Sequence, residues 1–264
     1  MYEDLLPHDL PTEAERLDRM ARAHDPDTFA VIDRLNLPAD ATCLDIGAGR
    51  GSVAIRLAET RPQARVTASD LDLSAVREND LGNLTLARID LREDDLGEAI
   101  YDLIHCRAVL CFLPTRTDAL GHILRALKPG GALVVSEMDF GRIAAGPSRF
   151  WAMVWTAYLD FAAAQGWDLQ FGSALPRQLS QLGFTEIDAR HIQPMLNPAG
   201  NTAGAAEAET WSLTLATLAP KLIGGGFMPE AMLTDALDII RNPGAWVPGP
   251  GFMVASARRP SGPA

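Results

Sequence analysis

The sequence predicts an α/β protein organised on a mostly parallel sheet, and three observations lead there. Between residues 41 and 140, short apolar runs alternate with stretches of helical spacing. The first of these runs stop at a glycine or an acid, as Ile46-Gly47, Ser69-Asp70 and Ile89-Asp90 do. Strands separated by helices of this length imply βαβ units and parallel pairing.

The elements follow in chain order. Residues 1–40 read as a helical preamble, in which Thr12 and Glu15 have capping-box spacing and Leu17, Met20 and Ala21 share one face. Asp25-Pro26 predicts a break, and Phe29, Ile32 and Leu35 continue a second helix to Leu37-Pro38. Strands are predicted at Thr42–Ile46, Arg65–Ser69, Leu84–Ile89, Tyr101–Cys106 and Gly131–Glu137. Helical spacing fills Ser52–Thr60 and Thr117–Leu127, the second stopping at Lys128-Pro129-Gly130-Gly131. Residues 147–182 are rich in Trp, Phe and Ala, with Trp151, Val154, Trp155, Tyr158 and Phe161 in helical register. A sixth strand is predicted at Phe184–Gln193, a helix at Ala205–Leu222, and a closing strand at Phe252–Ala257.

Charge and composition exclude several partners. The 264 residues carry 23 Lys+Arg against 34 Asp+Glu, a formal net charge of −11. Such a chain repels phosphate backbones unless it has a basic patch, and its densest basic cluster is Arg258–Arg259, so no nucleic-acid partner is expected. No apolar run approaches the ~20 residues of a membrane helix, so no membrane partner is expected either. The acidic start Met1-Tyr2-Glu3-Asp4 is unlike a secretory signal. Cys43, Cys106 and Cys111 have no CxxC spacing and suggest neither a disulfide framework nor a zinc site. A cytoplasmic location is the expectation.

The sharpest signal is the first strand–glycine–helix junction, Leu44-Asp45-Ile46-Gly47-Ala48-Gly49-Arg50-Gly51. Glycines at a strand end let backbone approach a ligand, and the next helix offers unpaired N–H groups. This loop suits several nucleotide cofactors, and a tight turn without a ligand is the alternative. A nicotinamide fingerprint would need glycine where Ser52 stands, and no Gly-Lys-Ser/Thr follows for a P-loop. Asp70 ends the second strand, where doubly wound folds place an acid against ribose hydroxyls. Asp90 ends the third and suits an exocyclic amine.

On these residues the chain resembles the class I S-adenosylmethionine-dependent methyltransferases, particularly their UbiE-like small-molecule branch. The matching motifs are the glycine loop, Ser69-Asp70-Leu71-Asp72, Ile89-Asp90-Leu91, Tyr101-Asp102-Leu103-Ile104-His105-Cys106-Arg107 and Leu127-Lys128-Pro129-Gly130-Gly131. The resemblance implies a Rossmann-like, seven-stranded, mostly parallel sheet with helices on both faces and a helical lid. It implies S-adenosyl-L-methionine as cofactor, S-adenosyl-L-homocysteine as product, and no metal. Gly47, Gly49 and Gly51 would surround the methionine part, with Asp45 orienting it. Asp70 would hold the ribose, Leu71 pack on adenine, and Asp90 with Leu91 bind the adenine edge. The Cys106 carbonyl would face the cofactor's amino group, and Arg16 its carboxylate; a surface salt bridge is the competing role for Arg16.

Glu137, after the fifth strand, is the leading candidate to orient the acceptor or take a proton; the competing reading is a carboxylate bonded to backbone amides. His8, His24, His105, His122 and His191 are isolated in sequence. Phe140, Trp151, Trp155 and Trp211 are assigned to an apolar acceptor pocket. The chain divides into a cap (1–40), the cofactor core (41–140), an acceptor-binding insertion (141–182) and C-terminal strands with an inserted helix (183–264). The expected partner is a small hydrophobic or aromatic acceptor, methylated on O, N or C and belonging to specialised metabolism, in a chain that forms a homodimer. The rival readings are a cofactor-binding cyclase or sensor that transfers no methyl, and a nicotinamide-dependent reductase.

Overall fold

In the computed structural model, which describes residues 11–77, 79–141, 143, 148–200 and 202–262, the alternating runs assemble into a seven-stranded sheet. Its strands are β1 (Thr42–Ile46), β2 (Arg65–Asp70), β3 (Leu84–Arg88), β4 (Tyr101–Arg107), β5 (Leu127–Asp139), β6 (Thr185–Ile192) and β9 (Gly251–Arg258). Two short strands, β7 (Met195–Leu196) and β8 (Val247–Pro248), pair separately. The sheet order is β3-β2-β1-β4-β5-β9-β6, with β1 to β5 parallel and β9 antiparallel to both its neighbours. Cys43–Ile46 and Leu103–Cys106 are continuous apolar or buried runs because helices cover both faces of the central strands.

The helices are α1 (Pro11–Ile32), α2 (Ser52–Thr60), α3 (Arg116–Ala126), α4 (Arg149–Ala164), α5 (Phe171–Gln181), α6 (Thr202–Gly224) and α7 (Glu230–Arg241). One face packs Ile32, Val53, Leu57 and Val66 together; the other packs α3 and α5 on β4 and β5 and continues into the aromatic layer of α4 and α6. Among the described residues, no helix is long and apolar enough to cross a membrane.

Three local expectations give way to tertiary structure. The break predicted at Asp25-Pro26 is absent, and α1 runs through Pro26. Proline forfeits one backbone hydrogen bond, but Leu17, Ala21, Val31 and Ile32 are buried on both sides of it, and Asp25 binds Ser52 and Arg107. Thr12 lies inside the helix instead of capping it, and Glu15 pairs with Arg19. The stop at Lys128–Gly131 is also different: α3 ends at Ala126, and Leu127 already pairs with Tyr101. Beyond α3, α5 lies against β5, β6 and β9.

Candidate active site

The C-terminal ends of β1, β2 and β4 form one edge, since Asp45 lies opposite Ala68 on β2 and His105 on β4. Open α/β sheets bind ligands at such an edge. There the chain turns through Gly47, Gly49 and Gly51, with φ of 64°, 54° and 79°, a region that side chains other than glycine rarely enter. At Gly47 space is limiting too, because an added Cβ would lie 2.3 Å from Cγ2 of Val109. The loop is tied down by backbone: Ala48 donates to the Ser69 carbonyl at 2.9 Å, and Gly49 to Asp70 Oδ2 at 2.8 Å.

Asp70 therefore faces the glycine loop, as its position at the strand end suggests. Its Oδ1 accepts from the Leu71 amide at 2.7 Å, leaving acceptor capacity on a half-buried carboxylate. Asp45 is different: it is buried, its Oδ1 lies 2.7 Å from His105 Nδ1, and its Oδ2 accepts from the Ala54 amide at 3.1 Å. It braces β1, β4 and α2, and so acts on the loop through backbone. Cys106 is fully buried on β4, and burial pushes its thiol well above the usual range.

Asp90 is less open than expected. Arg92 donates to Oδ1 through Nε at 2.8 Å and to Oδ2 through Nη2 at 2.5 Å. The guanidinium outweighs burial and holds the carboxyl below its ordinary value. An adenine amine would have to share this carboxylate with Arg92. Leu91 beside it is buried.

Glu137 corrects the expected proton acceptor. It is 0% exposed and accepts from the amides of Val109, Leu110 and Cys111 at 3.3, 2.8 and 3.0 Å. Burial raises its carboxyl, and those amides oppose the rise. Glu137 fixes the loop after β4: Val109 of that loop packs on Gly47, and Phe112 at its end lines a cavity.

The cavity is narrow: the centre of a water-sized molecule can occupy about 20 Å³ of it, and only the space between side chains and at the open mouth brings the total to about 430 Å³. Arg16, Met20 and His24 line it from successive turns of α1, facing Glu207, Thr210, Trp211 and Thr214 of α6. Met138 and Phe252, paired across β5 and β9, form its floor with Phe112, and Tyr158 and Trp167 close it. Arg16 is thus buried in the cavity wall, not on the surface, and donates to Glu13 through both Nε and Nη2 at 2.7 Å.

Of the four predicted acceptor residues, Trp211 alone lines the cavity. Phe140, Trp151 and Trp155 are sealed behind it, with Trp155 and Phe140 edge-on to Trp211 at 5.1 and 5.4 Å. Trp151 donates its indole N–H to the Pro248 carbonyl at 2.9 Å. These three are core that shapes the roof. His24, Glu207 and Thr210 were missed; the available signal was a charged or polar residue on an otherwise apolar helical face.

Residues 44–133 match the family model described as a methyltransferase domain. The methyltransferase str2 of Strobilurus tenacellus is 30% identical over 159 residues, which is 59% of this chain and 58% of that protein. Over residues 44–133, which hold the glycine loop, Asp45, Asp70 and Asp90, the chain is similar to methyltransferase domains. Solved structures share this methyltransferase fold. Phosphoethanolamine N-methyltransferase 2 of Haemonchus contortus gives a TM-score of 0.63 at 16% identity, over 98% of this chain and 61% of that one. The cyclase SpnF gives 0.58 at 20%, over 90% and 81%.

The edge fits the methyltransferase cofactor. Three left-handed glycines bring backbone close, Gly47 leaves no room for a Cβ, and Asp70 keeps an acceptor directed at the same crevice. Among the described residues, no group of His, Cys, Asp or Glu is placed to hold a metal ion.

Proposed function

We propose that this chain transfers a methyl group from S-adenosylmethionine to an O, N or C atom of a small, largely aromatic acceptor seated between α1 and α6. The observation that carries this reading is the segment from Val109 to Phe112. Its first residue packs on the glycine cradle and its last lines the cavity, so one short wall serves both compartments.

The cofactor supplies a methyl already activated on a sulfonium, so the protein's task is alignment and dryness. Gly47, Gly49 and Gly51 let backbone close on its methionine part, Asp70 accepts from the ribose hydroxyls, and Leu71 and Leu91 flank the adenine. Arg16 stands on α1 one residue before Leu17, whose side chain lies over Gly49, within the wall shared by both ligands. Tyr158, Trp167 and Trp211 exclude water from the acceptor. Glu137 is a positioning residue that holds the dividing segment.

Incubation with methyl-labelled S-adenosylmethionine and a panel of small aromatic acceptors tests the reading, with label expected in the acceptor. Tight binding of the cofactor without label transfer to any acceptor would favour a cyclase or sensor instead. Calorimetric binding of NAD(H) in preference to S-adenosylmethionine would overturn both.

A further inference from the structure

The cavity contains a pair of side chains that cofactor binding does not use. His24 Nε2 on α1 lies against Glu207 Oε1 on α6, and both residues are almost wholly buried in the wall. The Phe252 ring covers the imidazole, with centroids 4.0 Å apart. Two apolar residues of similar size would stabilise such a helix contact as well or better, because desolvation offsets the attraction of a buried pair. Its position in a cavity wall points to chemistry.

The surroundings narrow that chemistry. Arg16 is the other cationic group facing the cavity, and Glu13 chelates it through two hydrogen bonds of 2.7 Å. From the remaining elements, α4 presents Tyr158, β5 Met138 and β9 Phe252, while Thr210 and Thr214 donate their hydroxyls to α6 carbonyls. With Arg16 matched and Glu207 present, the cavity disfavours an anionic acceptor. The flat walls of Trp167 and Trp211 suit a ring, and the buried indole N–H of Trp211 has no partner among the described residues. A neutral ring oxygen is a weak nucleophile until its proton leaves.

We infer that His24 and Glu207 form an acid–base pair that takes the proton from a neutral aromatic hydroxyl as its oxygen is methylated. This rests on the methyl-transfer reading above. Glu207 Oε1 sits against Nε2 as a charge contact without hydrogen-bond geometry, which leaves Nδ1 as the nitrogen to take the proton. The acceptor's O–H bond breaks and its proton passes to the imidazole. The oxygen forms the new O–C bond as the methyl C–S bond breaks, and that electron pair stays on sulfur. Glu207 balances the imidazolium and is a positioning residue.

Para-nitrophenol, whose ionised form is coloured, provides the test on protein loaded with S-adenosylhomocysteine. At a pH where the free phenol is mostly protonated, the bound probe is expected to be several-fold more ionised than free. His24→Gln should return it to the free value, and Glu207→Gln should reduce the effect, with S-adenosylhomocysteine affinity in both variants within about twofold of wild type. No calorimetric binding of the probe, or a bound probe no more ionised than free, overturns the inference on wild-type protein alone, whatever the variants do. Equal ionisation in wild type and His24→Gln overturns it as well. Failure to bind S-adenosylhomocysteine would instead overturn the methyl-transfer reading.

Discussion

Around the glycine loop, structure is made by backbone and by groups at strand ends. Gly49 meets Asp70, Ala48 meets Ser69, and Glu137 gathers three consecutive amides. Around the cavity between α1 and α6, it is made by side chains from α1, α4, α6, β5 and β9 that meet only in the folded chain. The first compartment has little freedom to vary, because three left-handed glycines and a Cβ clash restrict it. The second takes only its floor from the sheet, so the side chains it draws from α1, α4 and α6 can change without disturbing the strands. One domain can thus keep a cofactor while its acceptor changes.

The contrast predicts where substitutions hurt most. Glu137→Ala would strand buried amides at about 1–3 kcal/mol each, so a loss of roughly 3 kcal/mol or more is expected in denaturant unfolding. Glu137→Gln keeps one acceptor oxygen and should lose less. An unchanged midpoint for the Ala variant would mean that the wall between the compartments is not held from β5. Next comes Gly47→Ala, which meets both a left-handed φ and Val109. It should cost about 1–3 kcal/mol and weaken cofactor binding tenfold or more by calorimetry. Asp70→Ala should weaken cofactor binding by roughly tenfold, with little effect on folding. Trp211→Phe should leave that affinity within about twofold and alter acceptor turnover alone. If it weakens the cofactor as much as Asp70→Ala does, the two compartments are not separable.

The same contrast explains what could be read in advance. β1, β2 and β4 were legible almost to the residue because inner strands covered on both faces are apolar runs, whereas β3, at the sheet edge with no buried residue, was legible from the Asp90 that follows it. Asp70 was legible as the acid that ends β2, and the bond it accepts from Gly49 sets it against the glycine loop. Asp90 was legible as a strand end, but its chelation by Arg92 depends on a loop conformation that spacing does not show. For Glu137 the backbone-amide alternative was open in the sequence, and the loop after β4 decided it. His24 and Glu207 could not be paired in advance, since nothing local links the start of the chain to α6. Pro26 shows the same limit from the other side: a strong local breaker yields where both flanks are buried.

The smallest effect concerns how the compartments close. Leu17 of α1 lies over Gly49, and the neighbouring Asp18 accepts from Arg50 at 2.7 Å and Arg77 at 2.6 Å. Burial alone would raise the Asp18 carboxyl, but hydrogen bonds from Arg77 and then Arg50 outweigh it and hold it below its ordinary value. A carboxyl depressed in the folded state contributes stability above its unfolded pKa and loses it as pH falls through the folded one. The tie should therefore be intact at neutral pH and weaken only in acid, below the ordinary carboxylate range. Asp18→Asn should mimic that loss at neutral pH. Because the pair is partly exposed and screened by water, the change should stay below about 1 kcal/mol. Hydrogen exchange should detect it as faster opening of α1 amides near Asp18, with β1 and β4 amides unchanged. Equal acceleration in the sheet would show that α1 is not a separately opening cover but part of the cofactor compartment's own framework.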